Sequence, residues 1–175
     1  EHLPTPMAKT VFGKELHFRL LDGRLTYVPW DDLVERLKNE AKQKLWKLKD
    51  AKSITEEAGP IGGFRIRYRL KKVDNPIETK VGTMVRQTVE LDFFEFVPVS
   101  DDLGEPFDAA MQANSQFQTR LATEDPKTTT ITVWVYPDSF DQFHVLKSQL
   151  YKQGYLTAAR PMPNDRFMGG SPRGT

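Results

Sequence analysis

The sequence predicts an α+β fold: a mixed β-sheet with helices mainly on one face, in the order ββα–ββ–α–βαβ, with a long β-hairpin inserted in the middle. Three patterns carry that expectation. Apolar and polar residues alternate on both sides of Asp22-Gly23. Leucines then recur at helical spacing after Asp32. Near the end, a β-branched run is followed by an amphipathic helix, a glycine and a last short strand.

Leu16, Phe18 and Leu20 alternate with Glu15, His17 and Arg19, the period of a strand with one buried face. Asp-Gly is the strongest short hairpin signal, and a two-residue turn there sets Leu20 opposite Leu25 and Phe18 opposite Tyr27. Pro29 closes the hairpin, and Asp31 or Asp32 can cap a helix while placing negative charge at its N-terminus. Leu33, Val34, Leu37, Ala41, Leu45 and Leu48 form its core-facing stripe, Lys38, Lys42 and Lys49 lie on the opposite face, and the helix ends near Asp50. Residues 51–63 read as a connection that closes in Gly59-Pro60-Ile61-Gly62-Gly63.

Phe64, Ile66, Tyr68 and Leu70 then point one way, with Arg65, Arg67 and Arg69 pointing the other. Over 84–97, Val89, Leu91 and Phe93 share a face opposite Glu90 and Asp92, until Phe93-Phe94 breaks the alternation as a bulge would. Asn75-Pro76 is expected in the turn between these strands. A short helix is expected within 107–123, and a strand over 131–136. Pro137-Asp138-Ser139 opens a helix holding Phe140, Phe143, Leu146 and Leu150, with Ser139 as its cap. Gly154 ends that helix, and residues 155–159 form the last strand. The expected organisation is a tether over 1–12, a single α+β domain over 13–160 with an insertion at 51–126, and a C-terminal tail over 161–175.

With 175 residues the chain can bury a full core without staples. A net charge of +1 gives no bulk attraction to polyanions, so no nucleic acid is expected from composition. The absence of cysteine removes disulfides, thiol catalysis and cysteine-ligated metals. No apolar run has the length of a membrane span and nothing resembles a signal peptide. Because it opens at Glu1, with Pro4 and Pro6 close behind, the chain is expected to be an excised piece of something longer.

Candidate chemistry is sparse. The row Arg65, Arg67 and Arg69, continued by Lys71 and Lys72, has the spacing to track a phosphate backbone. Cross-strand pairing of Arg65 and Arg67 with Glu90 and Asp92 is the better explanation, given a turn near residues 77–78. The lysine-rich helix over 36–52 has only Trp46 as a stacking aromatic, and Trp46 is also placed to pack on the sheet. The glycine cluster at 59–63 lacks the lysine and hydroxyl of a phosphate loop and precedes a strand, so it reads as a turn. His2, His17 and His144 are isolated, His17 on the outer face of its strand, and none has metal-ligand spacing. Asp101, Asp102 and Glu105 form an acidic loop without the oxygen ladder of a calcium site. A nucleophile, base and acid would have to be assembled from distant residues, such as Ser139 with His144 and Asp138, and an enzyme would need a pocket gathering Tyr136, Asp138, His144 and an arginine. No catalytic, cofactor-binding or metal residue is assigned and no cofactor is expected; the interaction candidates are Arg65, Arg67, Arg69, Tyr136 and Asp138.

Two segments carry a resemblance. His17-Phe18-Arg19-Leu20-Leu21-Asp22-Gly23-Arg24-Leu25-Thr26-Tyr27-Val28-Pro29, followed by Asp32-Leu33 and a helix, resembles the start of the periplasmic domain of the ExbD/TolR family. Thr132-Val133-Trp134-Val135-Tyr136-Pro137-Asp138, with Phe143, Leu146, Leu150, Gly154 and Tyr155, resembles that family's closing strand–helix–strand unit. Residues 51–126 have no counterpart there, and the family's aspartate-bearing membrane helix is absent from this sequence. The phrases Gly59-Pro60-Ile61-Gly62-Gly63-Phe64-Arg65 and Trp134-Val135-Tyr136-Pro137-Asp138-Ser139-Phe140 also resemble an uncharacterised bacterial family of planctomycete type, which brings no activity with it. The ExbD/TolR resemblance implies the extracytoplasmic part of a membrane-anchored envelope protein, on the periplasmic side. Such a domain would dimerise and bind a protein partner or a cell-envelope polymer, touching the membrane only through a segment outside this sequence. The expectation is therefore a non-catalytic interaction or scaffold domain. The alternative is a cytoplasmic nucleic-acid-associated protein using the Lys/Arg-rich face.

Overall fold

The structure is a computed structural model that describes residues 13–172, so the tether expected over 1–12 lies outside the described residues. The fold is α+β. A hairpin of β1 (Lys14–Leu21) and β2 (Arg24–Val28) leads to α1 (Trp30–Lys44), which tightens into a 3-10 turn at Leu45–Lys49. Three long strands follow: β3 (Ser53–Ile61), β4 (Phe64–Thr79) and β5 (Gly82–Pro98). Then come β6 (Glu105–Pro106), α2 (Phe107–Ala110), α3 (Gln116–Leu121), β7 (Thr129–Val135), α4 (Phe140–Lys152), β8 (Leu156–Pro161) and β9 (Gly169–Gly170). The described residues form two compact units, one of residues 13–30 and 100–166, the other of 31–99 and 167–172.

The first unit holds a mixed five-stranded sheet in the order β6-β2-β1-β7-β8. The β1–β2 register is the expected one, Phe18 opposite Tyr27 and Leu20 opposite Leu25. Asp22 (φ 53°) and Gly23 (φ 67°) both take left-handed backbone, the geometry that matches a two-residue turn to the twist of its strands. β1 runs parallel to β7, and β7 parallel to β8 through the α4 crossover. Leu16, Phe18 and Leu20 join Ile131, Val133 and Val135 on one face, where Phe107, Phe117, Phe143 and Leu146 from α2, α3 and α4 complete one apolar core. Gly154 (φ +88°) ends α4, and the buried Tyr155 hydroxyl donates to the Leu121 carbonyl at 2.8 Å. The opposite face of this sheet is also buried, against expectation for His17: His17 is 8% and Arg19 5% exposed, and every position of β7 is buried. Alternation identifies the face carrying polar residues but not whether something covers it.

The second unit holds an antiparallel four-stranded sheet in the order β3-β4-β5-β9. Phe64, Ile66, Tyr68 and Leu70 are buried, as are Leu33, Leu37, Ala41 and Leu48 of the helical segment. Leu45 is 43% exposed, because the 3-10 turn beginning there shifts the angular phase of the stripe. Residues 51–63, expected as a connection, hold β3, which pairs with β4 from Ser53↔Lys71 to Ile61↔Phe64. Its polar composition and the register shift at Gly59-Pro60 hide an edge strand, where proline's missing N–H is tolerated. The hairpin turn falls at Lys80-Val81 rather than at Asn75-Pro76. Pro76 sits in β4 beyond the end of β3, where only one side of the strand is paired. The bulge is at Asp92 rather than at Phe93-Phe94, between Leu70↔Leu91 and Arg69↔Phe93; it puts Phe93 on the face opposite Leu91, against expectation, and moves Phe94 and Phe96 onto the face of Tyr68 and Ile66.

The expected tail over 161–175 is docked in its described part. Met162 N–H donates to the Val135 carbonyl at 2.8 Å, Phe96 N–H to the Met168 carbonyl at 2.8 Å, and Met168 is 1% exposed. Gly169 lies against the β5 backbone so closely that an added Cβ would overlap the Phe94 carbonyl. Gly169→Ala is therefore expected to cost about 1–3 kcal/mol as an overpacking change. Urea unfolding measures it, and an unchanged midpoint would mean that β9 is not docked.

Candidate functional site

The arginine row lies on one face of β4, in the second unit, and is largely neutralised there. Arg67 donates to Glu95 at 2.7 Å through Nε, lies 3.9 Å from Glu57, and sits 5.9 Å over the Phe167 ring. Arg69 is 3.7 Å from Asp92 and donates to the Ser53 hydroxyl at 3.1 Å; Lys71 is 3.3 Å from the same Asp92. Arg65 is exposed and stands opposite Val97. Cross-strand pairing thus holds, but with partners different from those expected: Arg67 faces Glu95, and Glu90 faces Lys71. The longer hairpin shifts every pair, since its turn lies closer to the end of the sequence.

Tyr136 and Asp138 belong to the first unit. Tyr136 is buried, its hydroxyl donates to the Arg166 carbonyl at 2.6 Å, and burial raises its phenol pKa, opposed by the charge of Arg19. Asp138 receives the Asp22 N–H at 3.2 Å and the Ser139 hydroxyl at 2.7 Å, while the Gly23 N–H donates to Ser139 Oγ at 3.3 Å. The Ser139 side chain makes no helix-cap hydrogen bond, contrary to expectation; with Asp138 it pins the β1–β2 turn to the start of α4. His144 is exposed on α4 whereas Ser139 is 1% exposed, so the serine is tied to hairpin anchoring rather than to an imidazole. Glu105 is likewise occupied, accepting the N–H groups of Gln116 and Phe117 at 3.3 and 2.8 Å. Arg24 spans the carbonyls of Asp102, Leu103 and Gly104 at 2.9–3.1 Å.

The buried polar face of the first sheet holds a cluster absent from the sequence-derived candidates. Trp30 stacks on His17 at 4.2 Å and on Trp134 at 5.5 Å between ring centroids, and the indole N–H of Trp134 donates to His17 Nδ1 at 3.1 Å. The Arg160 guanidinium lies 5.0 Å from the Trp134 ring. That hydrogen bond assigns Nδ1 as the acceptor and leaves the ring's other nitrogen 3.7 Å from Glu15. Among the described residues no group of three acidic or histidine side chains is placed to hold a metal ion.

The β4–β5 arm carries several exposed apolar side chains. Beyond Lys71, where β3 ends, the two strands continue to Thr79↔Gly82 as a ribbon. Ile77, Met84, Val85 and Val89 are all exposed on it, and Val81 at its tip is 92% exposed. Placing the turn at Asn75-Pro76 concealed this surface; the alternation from Met84 to Leu91 was its available signal. Compared with protein-family models, curated proteins and solved structures, the chain finds no match in any of the three.

Tyr68, Tyr136 and Tyr155 have phenol pKa values raised by burial. The folded state holds these protons more tightly than the unfolded chain. The stability they contribute is complete below the unfolded phenol pKa of about 10 and is lost as pH rises through the raised folded values. Phenolate absorbance is thus expected to rise together with unfolding in an alkaline titration. Among the described residues Tyr136 has a hydroxyl partner and the buried Tyr68 hydroxyl has none. Tyr136→Phe is expected to cost about 1 kcal/mol and Tyr68→Phe to be neutral or stabilising in urea unfolding. The reverse order would overturn that assignment.

Proposed function

We propose that the chain is a non-catalytic interaction domain on the periplasmic side of a bacterial envelope, similar in role to the ExbD/TolR domains and bound to a protein or envelope polymer. One observation carries this reading. The two segments that resemble that family, separated by about a hundred residues, meet as β1 and β7, neighbours in one sheet from Lys14↔Thr129 to Leu20↔Val135. Of the sequence without a counterpart there, residues 51–99 belong to the second unit, together with α1 of the first resembling segment, and residues 100–126 to the first. The ion pairs along β4 and the exposed apolar arm favour recognition of a protein surface over attraction to a polyanion.

Fractionation of cells making the natural gene product tests the location. The protein is expected with the membranes and open to protease added from the periplasmic side. Recovery in the soluble cytoplasmic fraction, shielded from protease, would overturn the reading.

A second reading, single-stranded nucleic-acid binding, is favoured by Trp46. It is 71% exposed rather than packed on the sheet, beside the exposed Lys42 and Lys49. On the envelope reading, titration with a short oligonucleotide at low salt gives no binding. Salt-sensitive binding that Trp46→Ala abolishes would transfer support to the second reading.

A further inference from the structure

The outer edge of β5 is an open row of backbone donors and acceptors. From Gly82 to Leu91 it pairs with β4 alone; β9 reaches only Phe94 and Glu95, and no other described strand lies alongside. The same stretch forms one strand of the ribbon that continues past the end of β3, and a two-stranded ribbon is by itself marginal in water. Val85 is 66%, Met84 59% and Val89 43% exposed on it.

Other edges of the two sheets are blunted. β3 carries Glu56, Glu57 and Pro60, and β8 is six residues long and ends in Arg160 and Pro161. Charges, prolines and short length discourage an added strand. Between Gly82 and Leu91 there is no proline or lysine, and the charged residues are Arg86 and Glu90 alone. That pair selects the occupant.

We propose that this edge of β5 pairs with the same edge of a second copy of the chain, antiparallel about a two-fold axis at Thr88. Alternation of the backbone groups restricts antiparallel self-pairing to registers with a residue on the axis. With Thr88 there, Arg86 of each copy stands opposite Glu90 of the other, Gln87 opposite Val89, and Val85 opposite Leu91. An axis at Arg86 or Glu90 sets like charges against each other. At Gln87 or Val89, Glu90 faces Met84 or Thr88 instead. Only the Thr88 register pairs both charges on both copies. The product is a four-stranded antiparallel ribbon in which Val85, Val89 and Leu91 of the two copies share one face, a self-complementary two-fold contact. This inference rests on the second unit alone and holds in either compartment.

The test combines solution mass with cross-linking and charge exchange. The wild-type chain is expected to show a concentration-dependent monomer–dimer equilibrium in sedimentation. Because the chain has no cysteine, Thr88→Cys leaves one route to a disulfide, 88 to 88 across the axis. Directly opposed Cα atoms lie about 4.5–5.5 Å apart, within disulfide range. Gln87→Cys, offset by two residues in this register, is expected to remain uncross-linked. Arg86→Glu or Glu90→Arg alone is expected to weaken the dimer about tenfold, and the double exchange to restore it. A chain that stays monomeric at high concentration, cross-links as readily at 87 as at 88, or dimerises regardless of charge would overturn the proposal. None of these results moves the protein to another cellular fraction, so the envelope reading is judged separately.

Discussion

The parallel pairing of β1 with β7 is the constraint on which the first unit depends, because it joins strands far apart in sequence: 117 positions separate His17 from Trp134, whose side chains nonetheless share a hydrogen bond. Closing so long a loop costs entropy before any contact is gained, and the two strands offset that cost on both faces. On one face Leu16, Phe18 and Leu20 meet Ile131, Val133 and Val135 over a core shared with α2, α3 and α4. On the other, His17, Trp30 and Trp134 stack, and Glu15 accepts the Thr132 hydroxyl. Once β1 and β7 are together, β2 follows through its tight turn and β8 through α4. The Asp138–Ser139 contacts to the β1–β2 turn then hold the two ends of that arrangement in register.

In the second unit a different balance operates. Charges along β4 and β5 are matched locally, Arg67 with Glu95 and both Arg69 and Lys71 with Asp92. Partly exposed pairs of this kind contribute little to stability, but they set the strand register and leave little unpaired positive field. Asp92 owes its shared position to the bulge, which inserts it between two ladder pairs and turns Phe94 and Phe96 inward. Beyond the reach of β3 and α1 the ribbon has no such cover. Its apolar residues are distributed over both faces: Val85 and Val89 on one, Ile77 and Met84 on the other. A surface of that kind is costly to leave in water and useful where another chain completes it.

The residues with the most elaborate environments are mostly structural. Glu105 serves the N-terminus of α3, Arg24 holds the loop at 102–104, and Tyr136 anchors the Arg166 carbonyl. Each of these polar side chains is satisfied by a backbone partner, as buried polar groups generally are. Among the described strands, β5 from Gly82 to Leu91 is paired on one side only.

Local order was legible in the sequence. Asp22-Gly23 specified its hairpin to the residue because turn geometry and strand alternation act over a few positions, and the stripe from Leu33 to Leu48 specified a helix for the same reason. The arginine row was recognised from alternation and its cross-strand neutralisation foreseen, but with other partners, because the turn was placed too early. What required the tertiary structure was every decision made over longer distances. The β4–β5 register depends on the best sum over a ladder from Phe64↔Pro98 to Thr79↔Gly82, so one proline did not mark the turn. β3 and β9 are strands because a neighbour offers them an edge, not because Ser53–Ile61 or Gly169–Gly170 prefer extension. Within a regular strand or helix the sequence determined which residues share a face, but not across the Asp92 bulge, where Phe93 leaves the face of Leu91; only the folded chain decided which faces are covered, since covering is a property of what arrives from elsewhere in the chain.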